Sequence, residues 1–193
     1  MKSTDLYYSN NYQQFYDSTI NVDVTNLYEH LFKYIPANAH VLDFGCGSGR
    51  DTKAFIDKGF IVDAIDGSEE LCRLASSFAG IEVKCMDFLD LQSTDKYDAI
   101  WACASILHVE KEKLPTVLCK MRDALHEKGI MYISFKYGDF EGERNGRYYV
   151  DMTSERFTGI AGALGLEIIE DWITEDVRQD NTGQWYNIII QKK

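Results

Sequence analysis

A glycine-rich stretch, Val41–Arg50, reads VLDFGCGSGR and combines residue types that hold a small ligand rather than react with it. Glycines in a turn between a strand and a helix let a ligand contact bare backbone, and an open parallel sheet has its ligand crevice at such a turn. A dinucleotide fingerprint, G-x-G-x-x-G, would place a small residue at position 50, which is Arg50 here. The third glycine is Gly49 instead, and the G-x-G-x-G spacing favours a nucleoside with an amino-acid tail over a diphosphate.

Two carboxylates follow the glycine stretch at the ends of the next two predicted strands. Asp66 stands about 20 residues after Gly45, where a carboxylate accepts hydrogen bonds from both hydroxyls of a ribose. Asp87 ends the third predicted strand, where it can accept a hydrogen bond from an exocyclic adenine amine while Phe88 or Met86 lines the ring. The three strand ends together predict an adenosine site.

Residue types that other chemistries require are missing or scattered. The sequence lacks HExxH, a nucleophile elbow, a P-loop lysine and a tight cluster of His and Cys. Its five cysteines lie at least 13 positions apart, which excludes CxxC redox motifs and zinc knuckles. We therefore expect no metal, no disulfide and reduced thiols, as in the cytoplasm.

Length and charge narrow the class of partner. The chain has 193 residues, of which 45% are hydrophobic, and this is enough to bury the core of one domain. Its formal net charge of −11 repels nucleic acid and anionic membranes. Met1–Asn10 lacks the apolar core of an export signal, and the longest apolar stretch, 99–109, is too short to cross a bilayer. We expect a cytoplasmic protein, a monomer or weak homodimer, that binds neither nucleic acid nor membranes.

Strand-like and helix-like patterns alternate along the chain and must position these residues. Apolar residues at helical spacing predict helices over 22–34, 51–58, 68–77, 114–125 and 153–164. Short apolar runs predict strands over 40–45, 60–66, 81–86, 97–103, 129–135, 166–174 and 185–191. The polar, charged stretch after residue 135 is interpreted as a loop, and the last two strands are too close in sequence to be joined by a crossover helix. The sequence thus predicts an α/β three-layer sandwich with a mostly parallel seven-stranded sheet whose last strand is antiparallel.

This combination of motifs and elements resembles the class I, Rossmann-like methyltransferases that use S-adenosylmethionine, over nearly the whole chain. Segments 42–51, 101–109 and 134–138 are similar to a small bacterial group often labelled tellurite-resistance-related. The resemblance implies a single methyltransferase domain over residues 1–193, in which residues 1–35 form an N-terminal helical cover. It also implies S-adenosylmethionine as cofactor and S-adenosylhomocysteine as product.

The resemblance further implies roles for individual residues. The expected cofactor-binding residues are Tyr16, Thr19, Gly45, Cys46, Gly47, Arg50, Asp66, Gly67, Asp87, Phe88 and Cys103. The expected acceptor-binding residues are Tyr8, Lys136, Arg147 and Tyr148, and His108 is the candidate catalytic residue. A sulfonium methyl group is already activated, so transfer is an in-line displacement that needs close positioning and exclusion of water more than a reactive side chain.

Each acceptor-side residue also has a simpler interpretation. His108 has an unperturbed pKa of about 6.5, which suits a general base, or it caps a strand or bonds to the backbone. The N-terminal tyrosines form a lid over the cation or pack as an ordinary aromatic stripe. Lys136 and the arginines of the following stretch favour an anionic acceptor, but Asp139, Glu141 and Glu143 balance their charge.

Three functions fit these patterns. The first is methyl transfer from S-adenosylmethionine to a small-molecule acceptor. The second is a nicotinamide-dependent oxidoreductase, which shares the order of strand, glycine loop and acid but is disfavoured by Arg50. The third is a module that senses the cofactor without transferring its methyl group. The motifs favour the first function and leave the acceptor open.

Overall fold

A twisted seven-stranded sheet forms the centre of the protein in the computed structural model, which describes residues 3–178 and 183–193. The helices are α1 (Ser3–Thr19), α2 (Thr25–Phe32), α3 (Arg50–Asp57), α4 (Glu69–Ala79), α5 (Leu114–Ala124) and α6 (Ser154–Ala163). The strands are β1 (His40–Phe44), β2 (Ile61–Asp66), β3 (Val83–Cys85), β4 (Tyr97–Ala102), β5 (Leu125–Lys136), β6 (Glu141–Arg144), β7 (Arg147–Val150), β8 (Leu166–Glu175) and β9 (Gln184–Lys192). Two single turns of 3-10 helix cover Phe88–Asp90 and Ile106–His108.

The strand order is β3-β2-β1-β4-β5-β9-β8. β9 runs antiparallel to both of its neighbours, β5 and β8, and the pairs on the other side of β5 are parallel. The predicted fold class is confirmed, including the antiparallel last strand. Because β8 is antiparallel to β9, it runs in the same direction as the parallel strands.

Helices cover both faces of the sheet, because each strand presents apolar residues on both sides. On one face, Leu31 and Phe55 of α2 and α3 pack with Trp101 and Tyr132, whose rings stack with their centroids 3.9 Å apart. On the other face, α5 and α6 pack against Ile100 and its neighbours on β5 and β9. Strands buried on both faces are typical of a parallel sheet and explain the continuous apolar runs in the sequence.

Two predicted boundaries are wrong. α5 ends at Ala124, and β5 already begins at Leu125, four residues before the predicted start of that strand. Lys128 has a φ of 63° and the register of the β4–β5 pair shifts at this end, so the first residues of β5 form an irregular extension. The third strand is shorter than predicted, Val83–Cys85 rather than 81–86.

The stretch interpreted as a loop after β5 contains a β-hairpin instead. β6 and β7 pair antiparallel in a separate two-stranded sheet. Asn145 and Gly146 join them with φ values of 51° and 76°, the two positive values that a type I′ turn requires. The Asn-Gly pair was the available signal, but the four residues of β6, Glu-Gly-Glu-Arg, include no apolar side chain and so lack the alternation that marks a strand.

Gly49, the third glycine of the loop, has a structural role rather than a ligand contact. It begins α3 with a φ of 81°, and a Cβ atom there would lie 2.9 Å from the Cβ of Ala75 on α4. Both the left-handed backbone and this contact require glycine. Gly49 therefore allows α3 and α4 to approach each other closely.

We expect Gly49→Ala to lower the free energy of unfolding by about 2–4 kcal/mol, the sum of a left-handed backbone penalty and overpacking. Gly159→Ala is the matched control, because Gly159 lies in α6 with open space around its Cα. There the substitution should be neutral or stabilising by up to about 1 kcal/mol. Urea denaturation measures both changes, and equal effects of the two substitutions would contradict the packing role of Gly49.

Candidate active site

A cavity of about 280 Å³ opens where the carboxyl ends of the parallel strands meet. The loops after β1, β2, β3 and β4 form one part of its wall, called here the donor end. α1, β7 and the facing ends of β5, β8 and β9 form the other part, the acceptor end. β9 contributes through Trp185 near its amino end, because an antiparallel strand brings its opposite end to the same edge.

Asp66 fixes the glycine loop at the donor end. Its Oδ2 accepts a hydrogen bond from the backbone N–H of Gly47, and its Oδ1 accepts one from that of Ser68, both over 2.9 Å. Burial raises the pKa of Asp66, and these N–H groups oppose the rise. Carboxylate oxygens accept more than one hydrogen bond each, so the side chain keeps acceptor capacity toward the cavity.

Gly45 lets the glycine loop lie against the segment after β4. Its φ is 88°, and a Cβ atom there would lie 2.5 Å from the Cβ of Ser105 and 3.0 Å from the ring of Phe88. Phe88 in turn stacks on Phe44 of β1, with ring centroids 4.5 Å apart. Gly45 therefore allows the glycine loop to pack closely against Ser105 and Phe88, which line the cavity with it.

The structure brings most of the predicted cofactor-binding residues to this cavity. Its lining includes Thr19, Gly45, Cys46, Gly47, Arg50, Asp66, Gly67, Asp87, Phe88 and Cys103. Tyr16 is the exception. Thr4, Tyr8, Phe15 and Thr19 line the cavity at helical spacing, and Tyr16 falls on another side of α1.

Asp51 is a site residue that the sequence analysis missed. It is buried on the cavity wall and accepts two hydrogen bonds from Arg50, over 2.6 and 3.0 Å, one from the Tyr28 hydroxyl over 2.6 Å and one from Trp101 Nε1 over 2.8 Å. Burial alone would raise the pKa of Asp51, but Arg50 and the other donors hold it below its ordinary value. Nearby, burial and the charge of Asp51 raise the pKa of Asp43. Asp51 therefore fixes the direction of the Arg50 guanidinium at the donor end.

His108 lies at the acceptor end between α1 and β7. Its Nδ1 donates to the backbone carbonyl of Tyr148 over 2.7 Å, so Nε2 carries the lone pair and accepts from the Tyr8 hydroxyl, 3.0 Å away. Burial lowers the pKa of His108 to about 4 and raises the pKa of Tyr8 to about 12. Both side chains are therefore neutral near pH 7. The backbone hydrogen bond is present in the structure, whereas the role of general base stays a prediction.

His108 also makes the stability of the fold depend on pH. In the unfolded chain its pKa is about 6.5, and in the folded chain it is about 4. Between these values the unfolded chain binds a proton that the folded chain does not, so the free energy of unfolding falls as the pH falls. Each pH unit between about 6.5 and about 4 costs about 1.4 kcal/mol. We therefore expect His108 to lower the free energy of unfolding by about 3 kcal/mol between pH 7 and pH 4.

Urea denaturation at pH 7 and pH 4 tests this prediction. His108→Gln should lose about 3 kcal/mol less than the unsubstituted protein over that range. His126→Gln, at a half-buried histidine of β5, is the control and should follow the unsubstituted protein. An unchanged pH dependence in His108→Gln would show that His108 titrates normally in the folded state.

The basic residues of the acceptor end differ in their partners. Lys136 Nζ donates to Asp176 Oδ2 over 2.8 Å and lies 3.9 Å from the centroid of the Trp185 ring. Arg178 binds the same carboxylate over 3.2 Å, and only 2% of the Asp176 side chain is exposed. These cations hold the pKa of Asp176 well below its usual range despite burial. Lys136 lines the cavity as predicted, but its charge is already paired.

Arg147 lines the cavity, whereas Tyr148, also expected to contact the acceptor, is not among the lining residues. Successive side chains of a strand point to opposite faces, so Arg147 and Tyr149 of β7 face the cavity together. Tyr148 points the other way, and its hydroxyl donates to Glu141 Oε1 over 3.0 Å. The interpretation of this stretch as a loop gave no basis for separating Tyr148 from its neighbours, because side chains alternate between two faces only in a strand.

The described part of the chain contains neither a cluster of metal-binding side chains nor a membrane-spanning helix. Between residues 3–178 and 183–193, no group of three or more His, Cys, Asp or Glu side chains is arranged to hold a metal ion. Within the same ranges, no helix is both long and apolar enough to span a membrane.

Comparisons with known proteins agree with this geometry. Residues 41–129 match the family model described as "Methyltransferase domain". An uncharacterized methyltransferase of Staphylococcus carnosus is 28% identical over 190 residues, which cover 88% of this chain and 91% of that protein. An N-terminal Xaa-Pro-Lys N-methyltransferase of Xenopus laevis is 31% identical over 133 residues, covering 61% of this chain and 59% of that one.

Solved structures give the same fold. The 1,6-didemethyltoxoflavin-N1-methyltransferase of Burkholderia thailandensis, solved with 1,6-didemethyltoxoflavin and S-adenosylhomocysteine, superposes with a TM-score of 0.80 and 20% identity. The superposition covers 98% of this chain and 87% of that one. A methyltransferase of Methanosarcina mazei gives a TM-score of 0.75 at 20% identity, over 84% of this chain and 96% of that one.

The sheet order, the glycine loop and the two acids define a class I, Rossmann-like methyltransferase. The chain is a methyltransferase, and the neighbour solved with S-adenosylhomocysteine agrees with S-adenosylmethionine as the predicted cofactor. The predicted enzyme class is confirmed, and the oxidoreductase alternative is set aside.

Proposed function

We propose that this enzyme methylates a small molecule that is enclosed between α1 and the β6–β7 hairpin. The supporting observation is the direct contact between these two elements over the acceptor end. The Tyr148 backbone N–H donates to the Thr4 hydroxyl over 3.0 Å, and the Arg147 guanidinium lies 4.5 Å from the centroid of the Tyr7 ring. A cavity covered in this way suits a small acceptor better than an extended chain.

The donor end fits S-adenosylmethionine. Gly45 and Gly47 line the cavity, and the buried Ser105 hydroxyl beside Gly45 has no hydrogen-bond partner among the described residues. We assign the ribose to Asp66 and Gly67, and the adenine to Asp87 and Phe88. Gly45, Cys46, Gly47 and Arg50 are assigned to the amino-acid tail, with Cys103 on the sulfonium side. When bound, the cofactor supplies an activated methyl group for in-line displacement.

The acceptor end provides position and exclusion of water rather than a strong base. The neutral His108 holds the Tyr8 hydroxyl in place, and a pKa of about 4 makes its imidazole a weak proton acceptor. We therefore propose that the acceptor atom carries an available lone pair at neutral pH. Activity should then stay level between pH 6 and pH 8.

The same proposal covers the organisation of the chain. Residues 1–35 act as the cover of a single methyltransferase domain, which is supported by the contacts of α1 with β7. The net charge of −11 favours a monomeric protein or weak homodimer without nucleic-acid partners, and the free cysteines among the described residues suit the cytoplasm.

Methyl-labelled S-adenosylmethionine tests the acceptor class. The enzyme is incubated with the small-metabolite fraction of a bacterial extract, with its protein fraction and, in a third arm, with a synthetic peptide that begins Xaa-Pro-Lys, the sequence named for the Xenopus relative. We expect label in the small-metabolite fraction, as the named acceptor of the Burkholderia enzyme suggests. Label confined to protein or peptide would overturn the proposal, and binding without label in any arm would indicate a cofactor sensor.

A further inference from the structure

We infer that the methyl acceptor carries an anionic group and that Arg147 is the residue that binds it. The inference rests on the proposed function, since it concerns the acceptor end of the same cavity. It narrows the acceptor from any small molecule to a small organic anion such as a carboxylate.

Arg147 differs from the other basic residues that line the cavity in having no carboxylate partner. Arg50 binds Asp51, Lys113 binds Glu110, and Lys136 and Arg178 share Asp176. Over residues 3–178 and 183–193, no carboxylate oxygen lies within 4.0 Å of the Arg147 guanidinium, and its buried Nε has no hydrogen-bond partner. Arg147 is therefore the basic residue of the cavity lining whose charge no carboxylate of the described residues pairs.

Aromatic rings surround this guanidinium instead of acids. Its Cζ lies 4.5 Å from the centroid of the Tyr7 ring, 5.3 Å from that of Tyr149 and 6.0 Å from that of Tyr8. Ring faces attract a cation by about 0.5–2 kcal/mol, which offsets only part of the cost of removing the charge from water. An anion that enters the cavity would supply the missing partner.

The chemistry of the site favours a flat oxyanion. The planar fork of a guanidinium matches the two oxygens of a carboxylate, and such charge-assisted pairs are about twice as strong as neutral hydrogen bonds. The neighbouring rings of Tyr8 and Tyr149 offer faces for a planar acceptor, as both residues line the cavity beside Arg147. An acceptor anion bound by Arg147 would also be attracted by the positive charge of the sulfonium of a bound S-adenosylmethionine.

Benzoate and its neutral analogue benzamide test the inference as probes. Binding of each is followed by NMR titration of the protein, both free and saturated with S-adenosylhomocysteine. We expect benzoate to bind at least 10-fold more tightly than benzamide. Arg147→Gln should weaken benzoate binding at least 10-fold, and Arg147→Lys, which keeps the charge but loses the fork, should give an intermediate loss.

Arg73→Gln is the charge-matched control, because Arg73 is exposed on α4 away from the cavity, and it should bind benzoate like the unsubstituted protein. Thermal unfolding confirms that each variant is folded. Equal binding of benzoate and benzamide, or an Arg147→Gln variant that binds benzoate normally, would overturn the inference. Failure of S-adenosylhomocysteine to bind would count against the donor-end assignments instead, because the titration of the free protein still decides the role of Arg147.

Discussion

Replacement of Asp51 by alanine is expected to lower the free energy of unfolding by about 3–5 kcal/mol. The buried carboxylate accepts hydrogen bonds from Arg50, Tyr28 and Trp101. Its removal would leave the Arg50 guanidinium largely buried without its counterion and two further donors without an acceptor. Trp101 also packs at the centre of one core face, so the loss would extend into the sheet.

Urea denaturation of Asp51→Ala measures this effect. Asp57→Ala on the same helix is the control, because Asp57 is exposed and pairs only with Lys53 at the surface. That variant should change the free energy of unfolding by less than about 1 kcal/mol. A loss below 1 kcal/mol for Asp51→Ala would mean that the network contributes nothing beyond a surface pair.

Asp66→Ala is expected to weaken S-adenosylhomocysteine binding about 100-fold or more. Asp66 is proposed to accept a hydrogen bond from each ribose hydroxyl, and such charge-assisted bonds contribute about 1.5–3 kcal/mol each, where about 1.4 kcal/mol corresponds to a factor of ten. The substitution also releases the backbone N–H groups of Gly47 and Ser68, so the glycine loop loses its anchor. Asp66→Asn is a poor substitute here, because its amide nitrogen would face one of those N–H donors.

Isothermal titration calorimetry with S-adenosylhomocysteine measures the loss for Asp66→Ala. Asp90→Ala is the control, since Asp90 is an exposed acid in the short turn after β3 and does not line the cavity. Its affinity should stay within about twofold. Unchanged affinity in a folded Asp66→Ala variant would show that the ribose does not lie at the end of β2.

The fold could be predicted from the sequence because its signals are local. Buried strands are short apolar runs, helices carry apolar residues at helical spacing, and Gly45, Gly47, Asp66 and Asp87 mark the strand ends. The hairpin was missed because β6 has no apolar residue, and the direction of the Tyr148 side chain was missed with it. Arg147 and Tyr149 face the cavity and Tyr148 does not, and this difference can be predicted only when β7 is known to be a strand.

The acceptor end could be predicted only in part, because it depends on pairing between distant segments. The sequence shows that Lys136 and Arg147 are basic, but not that Asp176 neutralises the first and that aromatic rings surround the second. Likewise, the partners of Asp51 are Tyr28 and Trp101, far away along the chain. Such contacts follow from the packing of the sheet and helices and leave no local pattern.

The β6–β7 hairpin forms a separate two-stranded sheet and is not a member of the seven-stranded sheet. Its turn and outer residues can therefore be exchanged without disturbing the hydrogen bonds of the seven-stranded sheet. The loops of the donor end, between residues 45 and 88, instead follow strands of that sheet directly. A change of acceptor specificity could therefore evolve through substitutions in the hairpin with little loss of stability in the central sheet. Grafted hairpins offer a practical starting point for redirecting the enzyme while donor recognition is left intact.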